Sequence, residues 1–336
     1  MVSVAETWDI VSREGRSEPG WHGRRVCVGS PCDIRAAVGA PGGVPALLFE
    51  IAARSLPAGA ELPTCVGFDL SLEVIEPGSG GRIRLCLVLR STRYRDVFAT
   101  LAEDVAGIVA GAPNEATGIK LLLGRLHTWE RFLSRFGPDL LTTEQQVGLF
   151  AEVRFLVDEV MPLLAAASAV RAWRGPLGEP HDFRLGVCSI EVKSTTARGP
   201  QVFQVANLDQ LDDAGLSALI VHHVAIEADA PGGQTLPEAV AEARGKLAAC
   251  DPAAGVDLDA LLMEVGYIDA YAYAYDTRYR LATARWLEVA GAFPRLTRAG
   301  VPAGIANASY AVSLHACTPF ALDGEIARRM IREGIQ

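Results

Sequence analysis

The sequence predicts a mixed α/β protein, α+β in character, with a β-rich N-terminal region. Three observations carry that expectation. Phe68, Leu70, Leu72 and Val74 alternate strictly with other residues, and Ile83, Leu85, Leu87 and Leu89 do so again; this is the period of half-buried strands. Long helical patterns occupy the middle of the chain. Short strand-like segments follow them in succession, and helices followed by consecutive strands mark a mixed α/β unit.

The elements divide into three stretches. The first, residues 1–115, holds the two alternating runs, separated by the turn-prone Pro77-Gly78-Ser79-Gly80-Gly81, and so reads as a hairpin. A helix is expected over 93–110, with Val97, Leu101, Val105 and Ile108 on one face. The second stretch, 116–228, opens with a helix over about 117–136 that Gly137-Pro138 breaks. The next helix starts at Thr142 or Thr143, with Gln145 or Gln146 three residues on as a capping box, and is expected to run to about Ala167. Strands are expected over 183–187, 189–194, 201–206 and 216–226. The third stretch, 229–336, reads as an α/β extension packed on this core. Thr235 and Glu238 form another capping box, opening a helix to about Ala249. A helix over 258–265 and strands over 271–275, 285–289 and 310–314 complete it.

Composition excludes several classes. Half of the 336 residues are hydrophobic, enough for a sizeable core, and the net charge of −9 gives no whole-molecule attraction to a polyanion. The first residues lack the basic and apolar regions of a signal peptide. The small-apolar run 161–170 is too short to span a bilayer. Seven scattered cysteines show no CxxC spacing and fit a reducing compartment. The expectation is a cytoplasmic protein with no membrane association. GxxxxGK[ST], GxSxG and HExxH are all absent. His222 and His223 would point to opposite strand faces, a poor metal pair.

Lysine use points to the chemistry. Only Lys120, Lys193 and Lys246 occur, against abundant arginine. Lysine offers a compact ammonium whose pKa burial can tune, whereas arginine stays protonated. Lys193 ends Ser189-Ile190-Glu191-Val192-Lys193, so Glu191 and Lys193 share a strand face. If Gly186-Val187-Cys188 makes a hairpin turn, Asp182 comes within reach of Glu191. Asp182, Glu191 and the main-chain carbonyl of Val192 then form an oxygen-rich site suited to Mg²⁺, with Mn²⁺ as an alternative. The ordinary alternative is a charged pair on a solvated strand face.

This pattern resembles the PD-(D/E)XK superfamily of restriction-endonuclease-like nucleases. Asp182, Glu191 and Lys193 match the acid, then acid-x-Lys signature, with Pro180 two residues before Asp182 instead of immediately before it. The context is similar to one uncharacterised bacterial branch of that superfamily. It includes Leu149-Phe150-Ala151-Glu152, Trp173 to Pro176, His181-Asp182-Phe183, Gln210-Leu211, Gly266-Tyr267 and Phe293-Pro294-Arg295-Leu296. The resemblance is strongest over about 142–212. It implies a restriction-endonuclease-like core, with a mixed central sheet flanked by helices, over 116–228. It also implies metal-dependent DNA cleavage in restriction or defence against foreign DNA, with Lys193 positioning the attacking water. Glu152 lies beside the apolar face of its helix and would supply a further ligand, or else be a surface glutamate. Expected partners are DNA, a second copy of the chain for duplex cutting, and other restriction or defence subunits. The alternative is a catalytically silent nuclease-like module that binds DNA or protein.

Nucleic-acid contacts are expected from Arg82 and Arg84 on one strand face, from Arg198, and from Gln210. By its position, the N-terminal region is expected to serve substrate recognition. His181, Gln204 and the hydroxyls of 194–196 are weaker candidates. Tyr271, Tyr273 and Tyr275, sharing a strand face, would stack bases or pack against a helix.

Overall fold

The computed structural model describes residues 3–15, 18–75, 81–137, 139–199 and 201–335. The chain folds as two compact units, Met1–Asp139 and Leu140–Gln336. The helix expected to open the second stretch, near residue 116, therefore belongs to the first unit.

The first unit comprises α1 Val4–Arg13, β1 Gly20–Val26, β2 Asp33–Ala40, β3 Val44–Ala52, β4 Phe68–Val74, β5 Arg82–Leu89, α2 Arg95–Ala110 and α3 Glu115–Phe136. Its strands form an antiparallel sheet of order β1-β2-β3-β5-β4. The predicted hairpin is β4–β5, in register from Phe68 opposite Leu89 to Val74 opposite Ile83. Its turn residues Pro77 to Gly80 lie outside the described residues, as does Pro138. One sheet face buries Leu47, Phe49, Ile51, Leu85 and Leu87. Helix α1 covers part of this unit: Trp8 stacks on Phe98 of α2 at 5.4 Å and donates its indole N–H to the Ala46 carbonyl at 2.8 Å. The other face is strongly curled. Trp21 on β1 donates to Glu73 on β4 at 3.0 Å, although these strands occupy opposite ends of the sheet order. Ala37, Ala46, Leu48 and Cys86 form a buried cluster on that face, with Trp21 and Val88 packed against it.

The second unit comprises α4 Thr143–Phe155, α5 Ala166–Ala172, β6 Phe183–Leu185, β7 Cys188–Thr195, β8 Val202–Val205, β9 Ala218–Ala228, α6 Leu236–Cys250, α7 Pro252–Glu264, β10 Tyr279–Glu288, β11 Tyr310–Ser313, β12 Ala321–Leu322 and α8 Gly324–Ile335. Its main sheet has the order β12-β10-β9-β7-β6. β7 runs parallel to β9 and the other neighbours are antiparallel, so the sheet is mixed. β8 and β11 form a separate two-stranded ribbon. Its Phe203, Val205 and Val312 pack with Leu219, Val221 and Leu287 of the main sheet. Among the described residues no helix is long and apolar enough to cross a membrane.

Three expectations change. The helix from Thr142 does not reach Ala167. It has its capping box at Thr142 and Gln145, ends at Phe155, and passes through a π turn over Leu156–Val160. Pro162 lacks the N–H that would continue the helix, and its ring clashes with the preceding turn; Met161 instead donates five residues back to Leu156 at 2.9 Å. Tyr271 to Tyr275 form no strand: Asp269–Ala274 is a 3₁₀ helix, with Tyr271 and Tyr275 buried and Tyr273 exposed. The Tyr-Ala alternation imitates a period of two, but no neighbouring strand pairs with it. The third stretch is more than an extension packed on a core, because β10 and β12 complete the central sheet itself.

The β6–β7 hairpin positions the site. Leu185 faces Cys188 across the two-residue turn Gly186-Val187. Gly186 has φ +67°, the left-handed conformation such turns require at their first central position. A Cβ there would also stand 2.0 Å from the Gly334 carbonyl oxygen of α8, which accepts the Val187 N–H at 2.9 Å. Gly178 shares the positive φ, +76°, but has open space around it. Gly186→Ala is therefore expected to cost clearly more than the ~1–2 kcal/mol of left-handed strain alone. Gly178→Ala is expected to stay within that strain. Denaturant unfolding of both variants checks this, and equal losses would refute the steric argument.

Candidate active site

Strand alternation on β7 puts Ser189, Glu191 and Lys193 on one face and Ile190 and Val192 on the other. Glu191 is only 1% exposed, so the solvated-face alternative does not hold. Its Oε1 accepts from Lys193 Nζ at 2.8 Å, and its Oε2 is buried with no hydrogen-bond partner. An ionised carboxylate in such a place is costly unless paired. Burial, and then the charge of Asp182, push Glu191 well above the usual carboxyl range, while Lys193 pulls it back. Lys193 also donates to Gln210 Oε1 at 3.1 Å. That same oxygen accepts the Ala206 N–H at 2.7 Å, tying the ammonium to the turn after β8.

Asp182 immediately precedes β6, and extending the hairpin register sets it opposite Glu191. Its Oδ2 accepts the Val192 N–H at 2.7 Å. An extended residue projects its N–H and C=O to the same strand edge, so the Val192 carbonyl faces the Asp182 side. Asp182's own carbonyl accepts from the N–H groups of Arg174 at 2.7 Å and Gly175 at 3.0 Å. Burial raises its carboxyl to about 6, against the Val192 hydrogen bond and Lys193.

Glu152 arrives from α4, and its Oε2 accepts from Trp173 Nε1 at 2.7 Å. Its carboxyl is raised to about 8, first by burial and then by Asp182. A Cβ on Gly175 would lie 2.9 Å from Asp182 Oδ1 and 3.4 Å from Glu152 Oε2. The structure thus brings Glu152, Asp182, Glu191 and Lys193 into one electrostatic cluster.

Among the described residues no three His, Cys, Asp or Glu side chains make a ready metal cage. A hard divalent cation such as Mg²⁺ needs less, since it keeps several waters and takes one or two carboxylates. The unpartnered Oε2 of Glu191, beside the carboxyls of Asp182 and Glu152, fits such an ion. Val192 and Lys193 also line an open cleft of about 610 Å³, with Thr143 and Gly148 of α4 on one side and Phe203 and Gln204 of β8 on the other.

The remaining sequence candidates have other surroundings. Arg82 and Arg84 belong to the first unit. Arg82 donates to the Glu50 carbonyl at 2.7 Å, and Arg84 is held by Glu50 at 2.8 Å and Glu73 at 3.3 Å. Arg198 is exposed in the loop between β7 and β8. His181 has a buried Nε2 without a partner and lines a second pocket, of about 370 Å³, with Asp209 and Asp212. His222 and His223 are both buried; His222 lies against Trp286 at 4.0 Å and His223 near Phe203 at 6.0 Å. Sequence reasoning gave Trp173 and Gly175 no chemical role. Their only local signal was a Trp-x-Gly spacing shortly before Asp182.

The raised carboxyls set a pH dependence. Asp182 and Glu152 titrate higher in the folded chain than their ordinary values of 3.8 and 4.5. The stability they contribute is therefore full below those ordinary values and is lost as pH rises through about 6 and about 8. In EDTA, the unfolding midpoint is expected to fall between about pH 5 and about pH 8 and to level off above it. Mg²⁺ should reduce that fall by favouring the charged carboxylates, and Glu152→Gln should flatten it. An identical fall in Glu152→Gln would assign the titration to another group.

Comparison with known proteins agrees with the geometry. No curated protein and no solved structure matches the chain. The family model described as "Putative PD-(D/E)XK family member, (DUF4420)" matches residues 4–315. That match covers far more than half of the sequence, and on it the chain belongs to this PD-(D/E)XK family.

Proposed function

We propose that this protein is a metal-dependent DNA endonuclease that hydrolyses phosphodiester bonds. The observation that carries the reading is the placement of Lys193 Nζ between Glu191 Oε1 and Gln210 Oε1 at the edge of an open cleft, beside the carboxylates of Asp182 and Glu152. A surface ion pair needs no such burial, and stability alone does not favour it, since a buried pair often only breaks even against apolar residues.

The roles follow from position. Asp182, Glu191 and the Val192 carbonyl would hold Mg²⁺ or Mn²⁺, with Glu152 assisting. When bound, that ion neutralises charge developing on the phosphodiester and makes a water more acidic. Lys193, oriented by two acceptors, donates to the attacking water or to a phosphate oxygen. Glu191 keeps the ammonium at this point of the cleft, and Gln210 stops it from swinging away. Gln204 lines the same cleft, and Arg198 and Gln210 would contact substrate backbone or bases.

Service in bacterial restriction or defence against foreign DNA draws support from the family resemblance, and so does a cytoplasmic location. A homodimer would give the two sites that duplex cutting needs, and other defence subunits are further candidate partners. Substrate recognition by the first unit is part of the same proposal.

Plasmid, linear and single-stranded DNA incubated with Mg²⁺ or Mn²⁺ test the reading. Wild type is expected to cut, and Asp182→Ala and Lys193→Ala are expected to lose at least ~100-fold in rate, the scale of a lost electrostatic or acid–base group. Cutting that survives both substitutions would refute the assignment. A wild type that cuts nothing, yet binds Mg²⁺ through Asp182, would instead be the silent DNA- or protein-binding module.

A further inference from the structure

We propose that the turn from Trp173 to Gly175 is a positioning element that holds Glu152 and Asp182 in place for one divalent cation, and that Gly175 lets the two acids approach each other. The inference rests on the nuclease reading and extends it to residues that need touch no substrate.

The turn grips both acids, each in a different way. Trp173 is fully buried, and its ring lies within 13° of parallel to Phe183, the residue after Asp182, at 6.3 Å. Its indole N–H donates to Glu152 Oε2 at 2.7 Å. Indole nitrogen only donates, so it fixes Glu152 by Oε2, the oxygen that also lies toward Gly175. One and two residues later, the N–H groups of Arg174 and Gly175 hold the Asp182 carbonyl at 2.7 and 3.0 Å. The Asp182 carboxylate is then split in function. Oδ2 is held by Val192, and Oδ1 is the atom nearest the empty Cβ position of Gly175.

Gly175 is required by space rather than by conformation, for its φ lies outside the left-handed region. A methyl carbon would be crowded at 2.9 Å from Asp182 Oδ1 and 3.4 Å from Glu152 Oε2. Two carboxylates from different elements converge on that point. A methyl at that point would push Asp182 Oδ1 out of place and disturb the pair. A cation shared by the two acids would offset the repulsion between them.

Calorimetric titration of the full-length chain with Mn²⁺ alone tests this on wild type, Trp173→Phe, Gly175→Ala, Glu152→Ala and the double variant Trp173→Phe/Glu152→Ala. Phenylalanine keeps a ring on Phe183 but removes the N–H. Circular dichroism establishes that each variant is folded, and Trp173→Phe carries the test if Gly175→Ala does not fold. The expected result is a loss of Mn²⁺ affinity of ~10-fold or more in each single variant, the scale seen when residues behind metal ligands are changed. Because Trp173 acts through Glu152, Trp173→Phe should cost little further affinity once Glu152 is alanine. General structural damage would cost the same in both backgrounds. Folded Trp173→Phe and Gly175→Ala that bind Mn²⁺ like wild type would overturn the proposal while leaving the nuclease reading intact. A Trp173→Phe loss undiminished in the Glu152→Ala background would overturn the positioning role. Wild type that binds no Mn²⁺ would remove the nuclease reading and this inference with it.

Discussion

Glu191 lies in the interior with one oxygen on Lys193 and the other on nothing. Much of the second unit can be understood as the means of keeping it there. A carboxylate at 1% exposure loses its hydration, and a single ammonium returns only part of that energy. The strand that carries it is fixed on both sides, by β6 and by β9, and its Ile190 and Val192 face apolar surroundings. Such an arrangement persists only if the surrounding fold is rigid enough to deny the side chain an exit. A buried, unsatisfied oxygen is also a ligand atom held ready, which is why the same feature that strains the fold supports a catalytic reading.

The rest of the cluster follows from how β7 is held. The Gly186 turn sets the hairpin register and so places Asp182 beside Glu191. The Val192 N–H, left without a strand partner where β6 ends, is satisfied by the Asp182 carboxylate. That bond does for the backbone what a ladder bond would do, while it fixes a functional side chain. Lys193 is tethered at a second point by Gln210, so the ammonium cannot relax onto Glu191 alone. Helix α4, fixed at its start by the Thr142 capping box, delivers Glu152 one turn before the backbone widens into its π segment.

Charge gives the reading its logic. The chain carries a net −9, and Arg84, one of the two arginines expected to contact nucleic acid from β5, is matched by Glu50 and Glu73. On the nuclease reading, positive charge is supplied locally, by a divalent cation and by Lys193, where the phosphodiester would react. On the same reading a cation would favour the charged form of these raised carboxyls, so metal loading and their ionisation would be coupled.

What the sequence determined by itself was local. A period of two marked β4, β5 and β7, capping boxes marked the starts of α4 and α6, and a glycine turn brought Asp182, Glu191 and Lys193 together, because alternation and turn chemistry act over a few residues. Periodicity without partners misled at Tyr271 to Tyr275, where Tyr-Ala repeats satisfy a strand pattern that no neighbouring strand completes. The π turn and the early end of α4 depended on Pro162, a signal present in the sequence but outweighed by its apolar surroundings. Tertiary structure alone decided that Glu191 is buried, that β10 and β12 complete the central sheet, and that Trp173 holds Glu152 across 21 residues. Burial and long-range hydrogen bonds depend on which distant segments meet, and that is set by the summed packing of the whole unit rather than by any window of its sequence.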